Sequence, residues 1–188
     1  MPITKVPKHA KQVFKGVIFD VYQWPQKLFD GGHRTWEIIK RQDTVIVIPT
    51  IKDKIVIIRQ KQPAMNEWFY SVPAGRMDKP GETPRQTAVR ELLEETGLKP
   101  KRIRLWRKFQ KTGKVIHTVY VFVANDCVKV ADQDLDGGED IQIRYLTFEQ
   151  FLKLSDDSHL YESELQLDML RARLHPKKKR ELKKIIFG

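Results

Sequence analysis

The sequence predicts an α+β domain built on a mixed β-sheet. Three observations lead there. β-branched and aromatic runs recur before and after one central helix, and further helical spacing is confined to the C-terminal end. The β-rich runs are short and joined by tight polar turns, as in hairpins and unlike βαβ units. The 188 residues, 40% hydrophobic, suit one core.

Residues 1–10 read as a loose basic leader. KQVFKGVIFDVY over 11–22 predicts a strand, FDGG over 29–32 a turn, and HRTWEIIKR over 33–41 a returning strand. The connection is long because Trp24-Pro25 falls within it. TVIVIPT over 44–50 and KIVIIRQ over 54–60, split by Lys52-Asp53, form the clearest hairpin. A loop over 60–66 leads to a short strand over 67–72, and 73–81 is a loop dense in Pro and Gly.

A helix then starts at Thr83 as N-cap with Pro84 in the first helical position. It carries Val89, Leu92 and Leu93 toward a core and ends at Gly97. Strands follow over 101–110 and 115–124, with Thr112-Gly113 between them. A polar loop over 126–138 precedes an alternating strand over 140–146. Thr147 with Gln150 is a capping-box signature for a helix over 148–154. Leucines at helical spacing predict another over 159–174, and Pro176 ends it ahead of a basic tail.

The formal net charge is +11. A basic body suits phosphate-bearing small molecules as well as nucleic acid, and charge alone does not separate them. Much of the charge is in the tail, PKKKRELKK, where nucleic-acid binding is an option but a solvated run is the favoured reading, because no aromatic residues interleave. No apolar run reaches the ~20 residues that cross a bilayer. The N-terminus has no secretory apolar segment, and the single cysteine, Cys127, fits a reducing compartment, so a cytoplasmic location is expected.

The helix over 84–96 carries the chemistry. Glu91, Glu94 and Glu95 crowd its C-terminal end. Like charges at i, i+3 and i+4 repel, and a helix C-terminus disfavours acids again. At 3.6 residues per turn the three fall within about 100° of one another. Their oxygens are therefore expected to converge, from the side of the helix away from the core, on a hard divalent cation. The five histidines are scattered, and no zinc spacing exists. Glu82 is placed to pair with Arg90 and hold the loop to the helix, and the 73–75 turn to offer a carbonyl to the metal. By itself ELLEE would be an ordinary solvated face. The Gly-rich loop before it, Arg90 within it and Gly97 after it make that reading much weaker.

The segment GRMDKPGETPRQTAVRELLEETGL resembles the Nudix box of the Nudix hydrolases. From Glu82 through Arg90, Glu91, Glu94, Glu95, Gly97 and Leu98 the family pattern is matched in full. One departure stands at the front: Gly75 and Glu82 are separated by RMDKPG, one residue longer than the pattern, so the loop is expected to bulge. The run SVPAG ending at Gly75, and Arg59-Gln60 with the loop to Pro63, resemble the ADP-ribose pyrophosphatase branch.

The resemblance implies a Nudix-type α/β/α sandwich with a central mixed sheet and a preceding N-terminal antiparallel hairpin. Residues 1–42 would form the hairpin subdomain, 43–175 the Nudix domain and 176–188 the basic tail. The implied activity is Mg²⁺-dependent cleavage (Mn²⁺ a possible substitute) of a nucleoside diphosphate linked to another moiety. ADP-ribose or a nucleotide sugar is favoured. Alternatives are a dinucleoside polyphosphate, capped RNA, or a non-catalytic Nudix-fold binding protein. By position, Glu91 and Glu95 would be the main metal ligands. Glu94 would hold a further metal or the attacking water, and the Ala74 carbonyl would complete the shell. Gly75, Glu82, Arg90 and Gly97 would be structural. Glu139 is the best candidate for a general base, on a loop loosened by Gly137-Gly138, though it also reads as a simple turn residue before a strand. On the substrate side, Arg59 and Trp68 lead. Glu37 and Arg41 would reach the ligand across a homodimer, by analogy with the branch.

Overall fold

The computed structural model describes residues 5–63, 65, 67–110 and 113–188. The first strands are β1 (Lys11–Lys15), β2 (Phe19–Lys27), β3 (His33–Arg41), β4 (Thr44–Ile51), β5 (Lys54–Lys61), β6 (Phe69–Ser71) and β7 (Ala74–Arg76). Helix α1 (Pro84–Thr96) follows. Then come β8 (Leu98–Lys99), β9 (Arg102–Gln110), β10 (Val115–Ile116), β11 (Thr118–Asn125), β12 (Val128–Lys129) and β13 (Asp140–Leu146). Helices α2 (Phe148–Lys153), α3 (Ser163–Leu174) and α4 (Pro176–Phe187) close the chain.

The main sheet runs β13-β5-β4-β11-β9, with β4 and β11 parallel and the other pairs antiparallel. It is a mixed sheet, as expected. Alternation along its strands feeds two cores. Ile46, Ile48, Ile55 and Ile57 face α2, α3 and α4. Val45, Val47 and Val56 face Ala88 and Leu92 of α1. Helices on both faces make this an α/β/α sandwich. Each fully buried aliphatic side chain contributes roughly 1.5–3 kcal/mol.

β4 and β5 pair only next to their turn, at Thr50↔Ile55 and Ile51↔Lys54, where Lys52 takes a positive φ of 53°. Beyond it they diverge. β6 lines β5 and β7 lines β4 within the gap. The sequence reads 73–81 as loop, yet Ala74–Arg76 is a strand, because the divergence leaves β4 an open edge to pair. This gap positions the functional residues.

Other differences are local. The 11–22 run breaks into β1 and β2, because the chain already turns after Lys15, with Gly16 donating to the Phe19 carbonyl. The N-terminal hairpin is thus a three-stranded meander, joined by β10 in parallel to β3. Trp24-Pro25 lies inside β2; the pairing with β1 ends at Gln23, so proline sits on an open edge. The 115–124 run splits at His117, whose Nε2 lies 2.9 Å from Thr44 Oγ1. Of the expected Thr112-Gly113 turn, Thr112 lies outside the described residues, and Gly113 has φ +98°. Helix α3 starts only at Ser163 because 159–161 instead bonds along β6 through Tyr70.

The largest difference is at the C-terminus. Residues 176–188, read as a tail, form α4 with Pro176 in its first turn. Leu182 and Ile186 are buried one helical turn apart, and Asn125 donates to the Ile186 carbonyl at 2.7 Å. The lysines mask an amphipathic helix that is part of the core.

Candidate active site

Helix α1 is fixed at both ends by groups its sequence supplies or demands. Thr83 and Gln86 form a reciprocal capping box, and Pro84 occupies the first turn. Gly97 ends the helix with φ 67°, and a Cβ there would lie 2.0 Å from the Ala131 carbonyl oxygen. That closeness reflects how the 129–134 loop wraps the helix end. The Asp134 N–H donates to Glu94 O at 2.8 Å, Gln133 Nε2 to Glu95 O at 2.7 Å, and Lys129 Nζ to Thr96 O at 3.2 Å. Carbonyls that a helix leaves unpaired are thereby satisfied, and the loop leading to Glu139 is held against the acidic end of α1. Sequence reading missed Gln133, whose amide also donates to Ile141 O at the start of β13.

The carboxylates divide into two groups. Glu82 accepts from Arg90 Nε at 3.0 Å and from Thr87 Oγ1 at 3.0 Å. The hydrogen bond from Arg90 holds its carboxyl below the ordinary value. Arg90 also reaches Glu91 and Glu94, Nη1 lying 2.8 Å from each, and its Nη2 donates to the Arg76 carbonyl at 3.4 Å. This guanidinium ties the loop before α1 to the helix, as expected of Glu82 and Arg90.

Glu91 and Glu95 lie deeper. Burial pushes Glu91 up to about 7, against the pull of Arg90. Glu95 is 4% exposed, and burial raises its carboxyl well above the ordinary value. The charges of Glu91, Glu139 and Glu162 raise it further, while the Ala74 N–H, donating to Oε2 at 3.0 Å, opposes them. The expectation that all three glutamates face away from the core is therefore corrected. Glu95 shares the buried face with Thr87, Ala88 and Leu92, while Val89 and Leu93 are only partly buried. The gap between β4 and β5 allows this, because β7 there presents a free N–H to the carboxylate. Gly75 is the other half of the fit. A Cβ on it would lie 1.8 Å from Glu91 Cδ, so only glycine leaves room for that carboxyl. The additional loop residue is absorbed after Gly75: Glu82 N–H bonds the Lys79 carbonyl, and Gly81 takes φ +81°.

The three box carboxylates do not converge on one point. Among the described residues, no three His, Cys, Asp or Glu side chains surround a common centre. Each has taken the nearest donor: Glu94 takes Arg90 and Lys79, Glu91 takes Arg90, and Glu95 takes Ala74 N–H. The donor set nonetheless fits a hard cation. It is all oxygen, the cradle is shaped by Gly75, and buried acids raise one another's affinity for positive charge.

Glu139 belongs to this electrostatic group. Burial raises its carboxyl, the Asp136 N–H lowers it, and the charges of Asp136 and Glu94 raise it again. Arg59 and Trp68 are brought together, the guanidinium 4.6 Å from the ring centroid. Arg59 pairs with Gln142 on the sheet face of Ile55 and Ile57, opposite α1. Trp68 lines an open cleft of about 590 Å³ with Phe69, His159 and Tyr161. Glu37 and Arg41 stay within the meander, engaged by Gln23 Nε2 at 2.6 Å and by the Phe19 ring. Within the chain they are not brought to the carboxylates by any of these contacts.

Comparison with known proteins agrees with this geometry. The NUDIX domain model matches residues 40–165. ADP-ribose pyrophosphatase of Bacillus subtilis (strain 168) is 30% identical over 156 residues, covering 81% of this chain and 84% of that protein. Methanol dehydrogenase activator of Bacillus methanolicus is 29% identical over 157 residues, covering 82% and 84%. ADP-sugar pyrophosphatase of Mus musculus is 36% identical over 81 residues, 37% of each. A crystal structure of an ADP compounds hydrolase superposes with a TM-score of 0.74 at 20% identity, covering 89% of this chain and 92% of that one, a likeness of fold. With a family model spanning most of its length and a relative of this identity and coverage, the chain belongs to the Nudix family, as a pyrophosphatase-type hydrolase related to ADP-ribose pyrophosphatase.

Proposed function

We propose that the chain hydrolyses the pyrophosphate of ADP-ribose or a nucleotide sugar, releasing a nucleoside monophosphate and a sugar phosphate. The observation that carries the reading is the Gly75 cradle, which seats the partly buried Glu91 beside the buried Glu95 at the end of a complete Nudix helix. Two of the three relatives are named for ADP-ribose and ADP-sugars, which favours this substrate class.

Glu91, Glu95 and the Ala74 carbonyl would hold Mg²⁺ (or Mn²⁺), with Glu94 holding a further ion or the attacking water. A bound divalent ion neutralises pyrophosphate charge and lowers the pKa of a coordinated water. The chain's own part is positioning. Arg90 and Glu82 fix the helix to the loop, and Gln133 fixes the loop that carries Glu139. Glu139, its carboxyl raised by burial and by the charges of Asp136 and Glu94, is suited to take a proton from the water as general base. Arg59 with Trp68 offers a cation and an aromatic face to the nucleotide.

The reading includes a homodimer. The meander leaves Phe14, Val17, Phe19 and Trp36 exposed, Val17 at 92%, and a second copy would cover them and bring Glu37 and Arg41 across.

The test is a panel of ADP-ribose, ADP-glucose, GDP-mannose, NADH, a diadenosine polyphosphate and capped RNA, with Mg²⁺ and product identification. The expected outcome is AMP and ribose 5-phosphate from ADP-ribose, or the equivalent pair from a nucleotide sugar. Turnover confined to dinucleotides or capped RNA would move the substrate class. No turnover at all would make the chain a binding protein.

A further inference from the structure

Glu162, outside the Nudix box, is a buried acid that the reaction outlined above does not use. It is 9% exposed and occupies the N-cap position of α3, yet its side chain caps nothing. Instead it faces β6. The 159–161 segment runs beside that strand: Tyr70 N–H donates to His159 O at 2.9 Å, and Tyr161 N–H to Tyr70 O at 2.9 Å. Glu162 Oε1 is thereby delivered to 2.6 Å from Ser71 Oγ, while Oε2 is buried with no partner.

Ser71 Oγ lies at hydrogen-bond distance from two acceptors, Glu162 Oε1 and, at 2.8 Å, the Val72 carbonyl. A hydroxyl has one proton. Each contact has a proton of its own when a second one comes from Glu162. An orphaned oxygen is also tolerable on a neutral acid and expensive on a buried carboxylate. Burial pushes this carboxyl up to about 7, against hydrogen bonding by Ser71 and by the backbone N–H groups of Glu162 and Val72.

The turn so held leads straight into the site. After Ser71 and Val72 comes Pro73, whose carbonyl accepts from Val47 N–H at 2.8 Å, then Ala74, whose N–H holds Glu95, then Gly75 beneath Glu91. We infer that Glu162 is a positioning residue: as a neutral acid it donates to Ser71, Ser71 donates to the Val72 carbonyl, and this relay fixes the turn that presents Ala74 to Glu95. Its catalytic consequence rests on the pyrophosphatase reading; the relay itself does not.

Three variants of the full chain test it: Glu162→Gln, which keeps a donor in the same place, Glu162→Leu, which removes it, and Ser71→Ala, a small change that cuts the relay. The first readout is the hydrogen-exchange rate of the Ala74 amide by NMR. Exchange is expected to rise roughly tenfold or more in Glu162→Leu and Ser71→Ala, as a locally opened segment does, and to stay within about twofold of the parent in Glu162→Gln. The second is hydrolysis of the substrate the panel identifies. kcat is expected to fall about 10–100-fold in the two broken variants with KM nearly unchanged, and to be rescued by Gln. Unchanged Ala74 exchange in Ser71→Ala, or a Gln variant as impaired as Leu, overturns the relay. Faster exchange with undiminished kcat overturns its positioning role. A parent without turnover overturns the proposed function instead, and the exchange readout still decides the relay.

Discussion

Glu82 and Glu95 are the first and last glutamates of the same motif, and their surroundings pull their protons in opposite directions. Glu82 meets a guanidinium and a hydroxyl and is held below the ordinary carboxyl range. Glu95 meets one backbone N–H, burial and other carboxylates, and is held well above it. The first is satisfied by the fold alone. The second is costly to ionise in the fold alone, and the cation proposed for this site would offset that cost. Residue type does not separate these two acids; the sign of the displacement does, and it matches the structural role proposed for Glu82 and the ligand role proposed for Glu95.

The sharpest way to break this comparison is to remove each charge while keeping each shape. Glu95→Gln is expected to cost about a thousandfold in Mg²⁺-dependent kcat, corresponding to about 4 kcal/mol of lost charge stabilisation. Its effect on folding should have the opposite sign. Without divalent ions at pH 8, the variant should melt no lower than the parent, because a carboxyl that burial makes costly to ionise has gone. Steady-state kinetics and thermal melts of one preparation check both. Near-parental turnover would remove Glu95 from the site.

Glu82→Gln should invert that pattern with smaller magnitudes. The hydrogen bonds from Arg90 and Thr87 lose a charged acceptor, at a cost of about 1–2 kcal/mol of stability at neutral pH. Because the carboxyl is lowered in the folded state, that contribution is complete above its unfolded value of 4.5 and is lost as pH falls through the folded one. Turnover should drop about 10–100-fold, through a loosened helix. Urea melts at pH 7 and pH 3 measure the stability part. Equal losses at both pH values would show that Arg90 does not act through the Glu82 charge.

The two acids also differ in how far sequence could describe them. Glu82 is governed by local rules. Thr83, Pro84 and Gly97 delimit the helix, and the spacing to Arg90 predicts the pair that forms. Glu95 is governed by contacts across the fold. A helical wheel counts it with the acids; its burial depends on β4 and β5 diverging and on a free N–H at Ala74, which helix periodicity does not encode. The same reason hid Glu162, whose partner Ser71 is far away in the chain. It also hid α4, where lysines between Leu182 and Ile186 outweighed a two-residue apolar stripe. Gly75 is legible from its motif, but the collision that makes it obligatory is with Glu91, on another element.

The smallest expected effect separates the two groups of acids without any substitution. Burial pushes Glu91 up to about 7 in the folded protein against an ordinary 4.5, and raises Glu95 and Glu139 as well. Between these values the folded state holds more protons than the unfolded state. Stability in the absence of divalent ions must then fall as pH rises from about 4.5 to about 7 and beyond, the reverse of the slope set by Glu82 at lower pH. A divalent ion competes with those protons, so its benefit must grow over the same window. Calorimetry at pH 5 and pH 8, in EDTA and in Mg²⁺, is expected to show a lower melting temperature at pH 8 in EDTA. Mg²⁺ should restore a few degrees at pH 8 and little at pH 5, a shift in the range that about 1 kcal/mol produces in a domain of this size. In Glu95→Gln the Mg²⁺ increment should shrink, while in Glu82→Gln it should survive. An equal increment at both pH values, or one undiminished by Glu95→Gln, would place the ion elsewhere on the molecule and leave the raised acids of α1 without a ligand to account for them.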